Sequence, residues 1–358
     1  MIFERTEQHP GARFLLILAS LVVVVYGLKY AAPILLPAAL ALFMTVLSLP
    51  IMLWLVHHRV PAGLATLMTV LMFVGGVGLL FLVASQSVTD LQANLPRYQT
   101  QLGERLTQAI TWIDGRSDSF EVGPYLTTLI DPTAVVDFVR GSIGRIAQFL
   151  STTFIVFLIM AFMLGEATVF PAKIRYVLAQ DDGDEDRLEK VVTEVQSYLS
   201  IKTMVSLATG LVVGFWAYVM QLEFPLLLGL IAFLLNYVPT VGSIIAAVPA
   251  VFLSVILYFD VSHAVAVALG YVVVNVLFGN ILEPNLLGRR LGLSTLVVIL
   301  SLLFWGWAWG PLGALLSVPL TVMVKIWLEN TRDLRWVAVL LDKSTPPGAA
   351  DGGDTGAA

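Results

Sequence analysis

Few residues in this chain could do chemistry inside an apolar environment, and Glu283 stands first among them. It follows an uncharged stretch and precedes the helix-breaking Pro284. A carboxylate held in hydrocarbon is costly, and where it occurs it serves as a proton or cation site. The plainer alternative puts Glu283 at a boundary, paired with Arg289 or Arg290. The amides Asn236, Asn275, Asn280 and Asn285 lie within or beside apolar runs. Each can bind a neutral solute or satisfy a freed backbone group. His57, His58 and His263 read as boundary turns, and Trp305, Trp307 and Trp309 as an interfacial belt.

Other chemistry is excluded. There is no HExxH and no Walker A motif, and no nucleophile stands with its base. With 0 cysteines, thiolate metal sites and disulfides are ruled out. The acidic run from Asp181 to Asp186 fails EF-hand spacing, lacking the Gly at its sixth position and the Glu at its twelfth. It suits the positive end of a helix beginning near Glu185. No enzyme, metal, cofactor or nucleic-acid partner is implied.

The elements that must position these residues are apolar. Of 358 residues, 58% are hydrophobic and 13% charged, with mean hydropathy +0.87. Soluble domains carry roughly 25% charged residues, so the chain is a polytopic, all-α membrane protein. The stretch Phe224–Val324 holds two runs free of Asp, Glu, Lys and Arg: Phe224–Phe259, 36 residues, and Leu291–Val324, 34 residues. A crossing needs about 20 apolar residues, so each run is long for one span and short for two. Each is broken near its middle, by Asn236–Ser243 with Pro239 and Gly242, and by Trp309–Gly313 with Gly310 and Pro311. Gly242…Val248-Pro249 and Gly313…Val318-Pro319 repeat one pattern, which makes Pro249 and Pro319 the expected hinges. Paired broken segments of this kind point to the binding region of a transporter.

The chain divides accordingly. Residues 1–87 form a three-helix membrane region, opening on a retained span rather than a cleaved signal. Residues 88–145 form an extracytoplasmic insert, where Leu91, Leu95, Tyr98, Leu102, Leu106 and Ile110 recur at helical spacing. A fourth span occupies 146–166 and a cytoplasmic helical linker 167–201. The transport region covers 202–324 and includes the contact motif Gly210-x-x-x-Gly214. A cytoplasmic amphipathic helix, 325–343, and a disordered tail, 344–358, complete it. With the N-terminus inside and both broken runs treated as re-entrant hairpins, 14 of the 20 Lys and Arg lie on the inner side. Both termini are then cytoplasmic. The expected architecture is about six full spans plus two hairpins, eight membrane elements in an inverted repeat.

The motifs Phe224-Pro225…Asn236-Tyr237-Val238-Pro239…Gly242…Val248-Pro249, Glu283-Pro284…Gly288-Arg289-Arg290-Leu291-Gly292-Leu293-Ser294 and Trp309-Gly310-Pro311-Leu312-Gly313…Val318-Pro319 carry a resemblance. Together, over about residues 12–340, they resemble the autoinducer-2 exporter family of bacterial membrane proteins. The resemblance implies a bacterial plasma-membrane homo-oligomer, a pentamer, whose hairpin domain moves like an elevator. The expected function is export of a small polar solute such as autoinducer-2, along a path of Asn236, Pro239, Gly242, Ser243, Asn275, Asn280, Glu283, Pro284, Asn285, Gly310, Pro311 and Gly313. Two alternatives stand beside it: a sodium (lithium)/proton antiporter using Glu283, and a non-transporting scaffold whose insert recruits a partner.

Overall fold

The computed structural model describes residues 10–114, 152–167, 169, 185–239, 241–258, 260–287, 293–330 and 335–342. All regular structure among them is helical, apart from an isolated bridge between Leu293 and Asp342. Among the described residues six helices are long and apolar enough to cross a membrane: Ala32–His57, Ala62–Asn94, Thr193–Val219, Val241–Tyr258, Val261–Leu286 and Thr295–Leu315.

Two compact units emerge, residues 1–45 with 292–358, and residues 46–291. The first unit contains α1 (Pro10–Tyr30) and the start of α2 (Ala32–His57), whose Pro33 sits in the first turn, where a missing N–H costs nothing. It also contains α10 (Thr295–Leu315), α11 (Ser317–Asn330) and α12 (Arg335–Leu341). The second unit takes the rest of α2, then α3 (Ala62–Asp114), α4 (Thr152–Ala167) and α5 (Glu185–Val219). It continues with α6 (Pro225–Leu235), α7 (Val241–Tyr258) and α8 (Val261–Asn275), then a π-helical segment, Val276–Leu282, and the short α9 (Glu283–Leu287).

Both broken runs fold as helix, break, helix. In the first, α6 ends at Leu235, capped by Asn236, and α7 begins at Val241. In the second, the backbone turns at Gly310, with φ 71° and ψ −156°, a region only glycine occupies freely. Pro249 lies inside α7, and the buried Pro319 lies in the first turn of α11.

The third span and the amphipathic stretch after it form one helix of 53 residues, about 80 Å long at helical rise. The composition changes at residue 88 but the backbone does not. Ser85, Ser87, Thr89 and Asn94 each return a hydrogen bond to a carbonyl three or four residues earlier. Polar side chains satisfied in this way leave the helix intact. The loop 115–119, the helical stretch 132–146 and the acidic run Asp181–Asp184 lie outside the described residues.

The second unit packs close helix contacts at glycine into a core that includes Val213, Leu228, Leu253 and Tyr271. A Cβ added to Gly210 would lie 2.7 Å from Phe233 Cβ, and one on Gly229 would lie 2.6 Å from Gly210 O. The expected Gly210-x-x-x-Gly214 contact is therefore with α6. Trp216 fills the notch at Gly270, where a Cβ would come within 2.0 Å of its indole. Gly75, Gly76 and Gly78 of α3 have no other described atom of the chain within 4 Å of an added Cβ.

Candidate functional site

The tip of the first hairpin is held by its own backbone. Val238 N donates to Leu235 O at 2.9 Å and Gly242 N to Val238 O at 3.2 Å. A Cβ at Gly242 would lie 1.8 Å from Leu235 O, so only glycine fits. The tip then docks on α5. Asn236 Nδ2 donates to Ser206 Oγ at 3.0 Å, and the Tyr237 hydroxyl to Thr203 Oγ1 at 2.8 Å. Asn236 is 8% exposed and Ser206 fully buried.

Behind this tip lies a small cavity of about 10 Å³. Its polar lining is Thr209 from α5, Asn236 and Ser243 from the hairpin, and Tyr271 and Asn275 from α8. None of these is charged. Thr209 Oγ1 and the Tyr271 hydroxyl are buried without a hydrogen-bond partner. Buried polar groups are nearly always paired, so two orphans lining one cavity mark a place for a hydrogen-bonding guest. The cavity holds about one water molecule at this size.

Glu283 sits one element further on. Lys202 Nζ donates to its Oε1 at 2.6 Å, with the two side chains 4% and 17% exposed. Among the described residues the partner is Lys202 of α5; Arg289 and Arg290, the partners expected from sequence, lie outside the described residues. The π segment explains how Glu283 is presented. Pro284 has no N–H and crowds the carbonyl of Asn280. The wider turn absorbs that clash, with Glu283 N reaching back to Phe278 O. Such π segments are frequent at functional sites.

Among the site residues expected from sequence, Asn236, Ser243 and Asn275 come together. Gly242 shapes the tip, and Pro239 lies in its turn. Asn280, Pro284 and Asn285 are exposed and do not line the cavity. Gly310, Pro311 and Gly313 belong to the other unit. There the second arm packs on the first, since a Cβ at Gly313 would meet Trp305 O at 2.2 Å. Trp305 Nε1 donates to Thr321 Oγ1, and Ser301 Oγ to Ser317 O at 2.8 Å. Trp309 Nε1 donates to Leu28 O at 3.0 Å, while Lys29 Nζ lies 3.8 Å from the Trp307 ring centroid. The Lys29 ammonium thus rests on an aromatic face.

Residues 18–333 match the family described as AI-2E family transporter. The chain belongs to the AI-2E transporter family. It is 37% identical over 331 residues to TqsA of Escherichia coli (strain K12), named an AI-2 transport protein, covering 92% of this chain and 96% of TqsA. It is 35% identical over 337 residues to YhhT of the same organism, covering 94% and 96%. A Haemophilus influenzae relative is also 35% identical over 337 residues, covering 92% and 96%. As an AI-2E family member the chain is a multi-pass membrane transport protein and not an enzyme.

Lys202, Thr203, Ser206, Thr209 and Tyr271 were not singled out from sequence. The signal existed for α5: Lys202, Ser206, Thr209 and Val213 recur at steps of four, three and four, one helical face. Nothing local to Tyr271 marks it among the aliphatic residues of its span.

Proposed function

We propose that this protein is a secondary transporter of the bacterial inner membrane that exports a small, neutral, polar solute of the autoinducer-2 type. The observation that carries this reading is the uncharged cavity behind the first hairpin, with its two orphan hydroxyls and its amides. A neutral hydroxylated solute needs donors and acceptors without a fixed charge, and this lining supplies them. A cavity with room for about one water is closed to such a solute. The site therefore opens by withdrawal of the hairpin tip from α5, in keeping with the elevator movement that the family resemblance implies. Both termini lie in the cytoplasm, the side favoured by 14 of the 20 Lys and Arg. The assembly is a homopentamer, again by resemblance. The second hairpin spans more of the bilayer than a midplane re-entry would require, a reading supported by the bond between Trp309 and Leu28 in the last turns of α1.

The test is uptake of autoinducer-2 into inverted vesicles holding the purified protein. Accumulation above empty vesicles is expected, and reduced accumulation in Asn236→Ala. Vesicles that never exceed the empty control overturn the reading.

The buried Lys202–Glu283 pair favours a second reading, exchange of sodium or lithium for protons at Glu283. It requires Glu283→Gln to abolish cation-driven proton movement while the fold persists. Unchanged exchange in that variant removes it.

A further inference from the structure

The Lys202–Glu283 pair stands beside the contacts that close the first hairpin. Lys202 is followed by Thr203, which holds Tyr237, and one turn later by Ser206, which holds Asn236. Lys202 is 3% exposed and its ammonium rests on Glu283 at 2.6 Å. Among the described residues no second carboxylate or cation pairs with either group. The other titratable groups around it are the phenols of Tyr198 on α5 and Tyr237 on the tip. A buried ammonium on a half-buried carboxylate in an apolar unit gains little stability over an apolar pair of the same shape. Retained there, one turn from a moving contact, they suit an exchange of partners. The π segment and Pro284 leave the backbone under Glu283 without a continuous α-helical ladder, so its position is adjustable.

We infer that Lys202 and Glu283 form a proton-coupling site in which Lys202 is a tethered cation that an incoming proton displaces. The proton bonds to a carboxylate oxygen of Glu283, giving a neutral acid. Lys202 Nζ then loses its anionic acceptor and leaves, and α5 shifts beneath Asn236 and Tyr237, releasing the tip. Loss of the proton restores the pair and closes the hairpin. This rests on the transporter reading and assigns its driving ion. It also separates Glu283 from a simple open cation site, since the carboxylate already carries a cation of its own.

The chain has 0 cysteines, so a single Val241→Cys, at a position 42% exposed beside the tip, reports tip movement. The readout is labelling by a membrane-impermeant maleimide in proteoliposomes from mildly acid to mildly alkaline pH. Each rate is normalised to the same cysteine in denatured protein at that pH. The labelling rate is expected to change on the order of tenfold, with one inflection. Glu283→Gln, a mimic of the neutral acid, should hold the acid value at every pH. Lys202→Met with Glu283→Gln, which removes both charges and leaves none buried alone, should be flat. An inflection that persists in the double variant, or a flat parent, overturns the inference. So does a response to sodium at fixed pH in place of the response to acid. Vesicles that move no autoinducer-2 while the inflection still follows the pair would sink the solute reading and leave this site standing.

Discussion

The two hairpins share a plan and differ in what holds them. The first has a polar tip, Asn236 and Tyr237, bonded to hydroxyls on α5 beside a cavity with unpaired groups. The second has an aromatic apex, with Trp305 and Trp309 ring centroids 4.8 Å apart and both indole N–H groups satisfied. Each region also carries a buried lysine. Lys202 meets one carboxylate in a nearly dry site, whereas Lys325 meets Asp342 at 2.8 Å and Glu329 at 3.6 Å, which are 28% and 47% exposed. A polar contact next to an unfilled cavity can be exchanged for a ligand's. A satisfied aromatic apex anchored to α1 has no such alternative.

The largest expected effect comes from the lysines. Lys202→Met leaves the half-buried Glu283 without its cation and should cost at most about 3–5 kcal/mol, read as thermal unfolding in detergent. Lys325→Met should cost less, because its carboxylates reach solvent. Equal losses would break the contrast between a dry pair and a wet one.

Next come the glycines that close each hairpin. Gly242→Ala and Gly313→Ala place a Cβ 1.8 Å and 2.2 Å from carbonyl oxygens of the opposite arm. Each should cost about 1–3 kcal/mol or more. If Gly242→Ala alone spares stability, the first hairpin is adaptable at its tip.

A sharper test uses the orphan hydroxyls. Thr209→Val and Tyr271→Phe remove groups that have no partner, so stability should hold or rise slightly. Autoinducer-2 flux should fall about tenfold for each hydrogen bond lost to the solute. Trp305→Phe removes a satisfied donor and should do the reverse, costing about 1 kcal/mol in stability with flux unchanged. Flux unaffected by both cavity variants would detach the cavity from transport.

The smallest effect is at the N-terminal end of α8. Two hydrogen bonds from Ser262 to the Asp260 cap hold this exposed carboxyl below its ordinary range. Its contribution is present above the ordinary carboxylate pKa and fades as pH falls through the lowered one. Asp260→Asn should therefore flatten the acid limb of the stability curve. Tyr98, buried and donating to Glu223, has its phenol pushed up. Its contribution is present below the usual tyrosine range and is lost as pH rises through the raised value. Tyr98→Phe should flatten the alkaline limb.

Much of this was legible along the chain. The spans, the breaks at Asn236–Ser243 and Gly310–Pro311, and the Gly210–Gly214 contact follow from local composition. Glycine and proline act on the backbone at their own positions. The amphipathic stretch after residue 88 was legible as helix, but its continuity with the span before it was not. In the structure Ser85, Ser87 and Thr89 return their hydroxyls to the backbone of one helix rather than capping a new one.

What the sequence determined by itself is the class of protein and the places where its helices break. Hydropathy sums over neighbours in the chain, and a glycine or proline needs no distant partner to act. Tertiary structure alone decided that Lys202 meets Glu283, across 81 residues of chain. It also decided that Thr209 and Tyr271 face the same hollow as Asn236, Ser243 and Asn275. Helical period tells which residues share a face, but which face meets which is set by packing, through contacts such as Gly229 on Gly210 and Trp216 on Gly270.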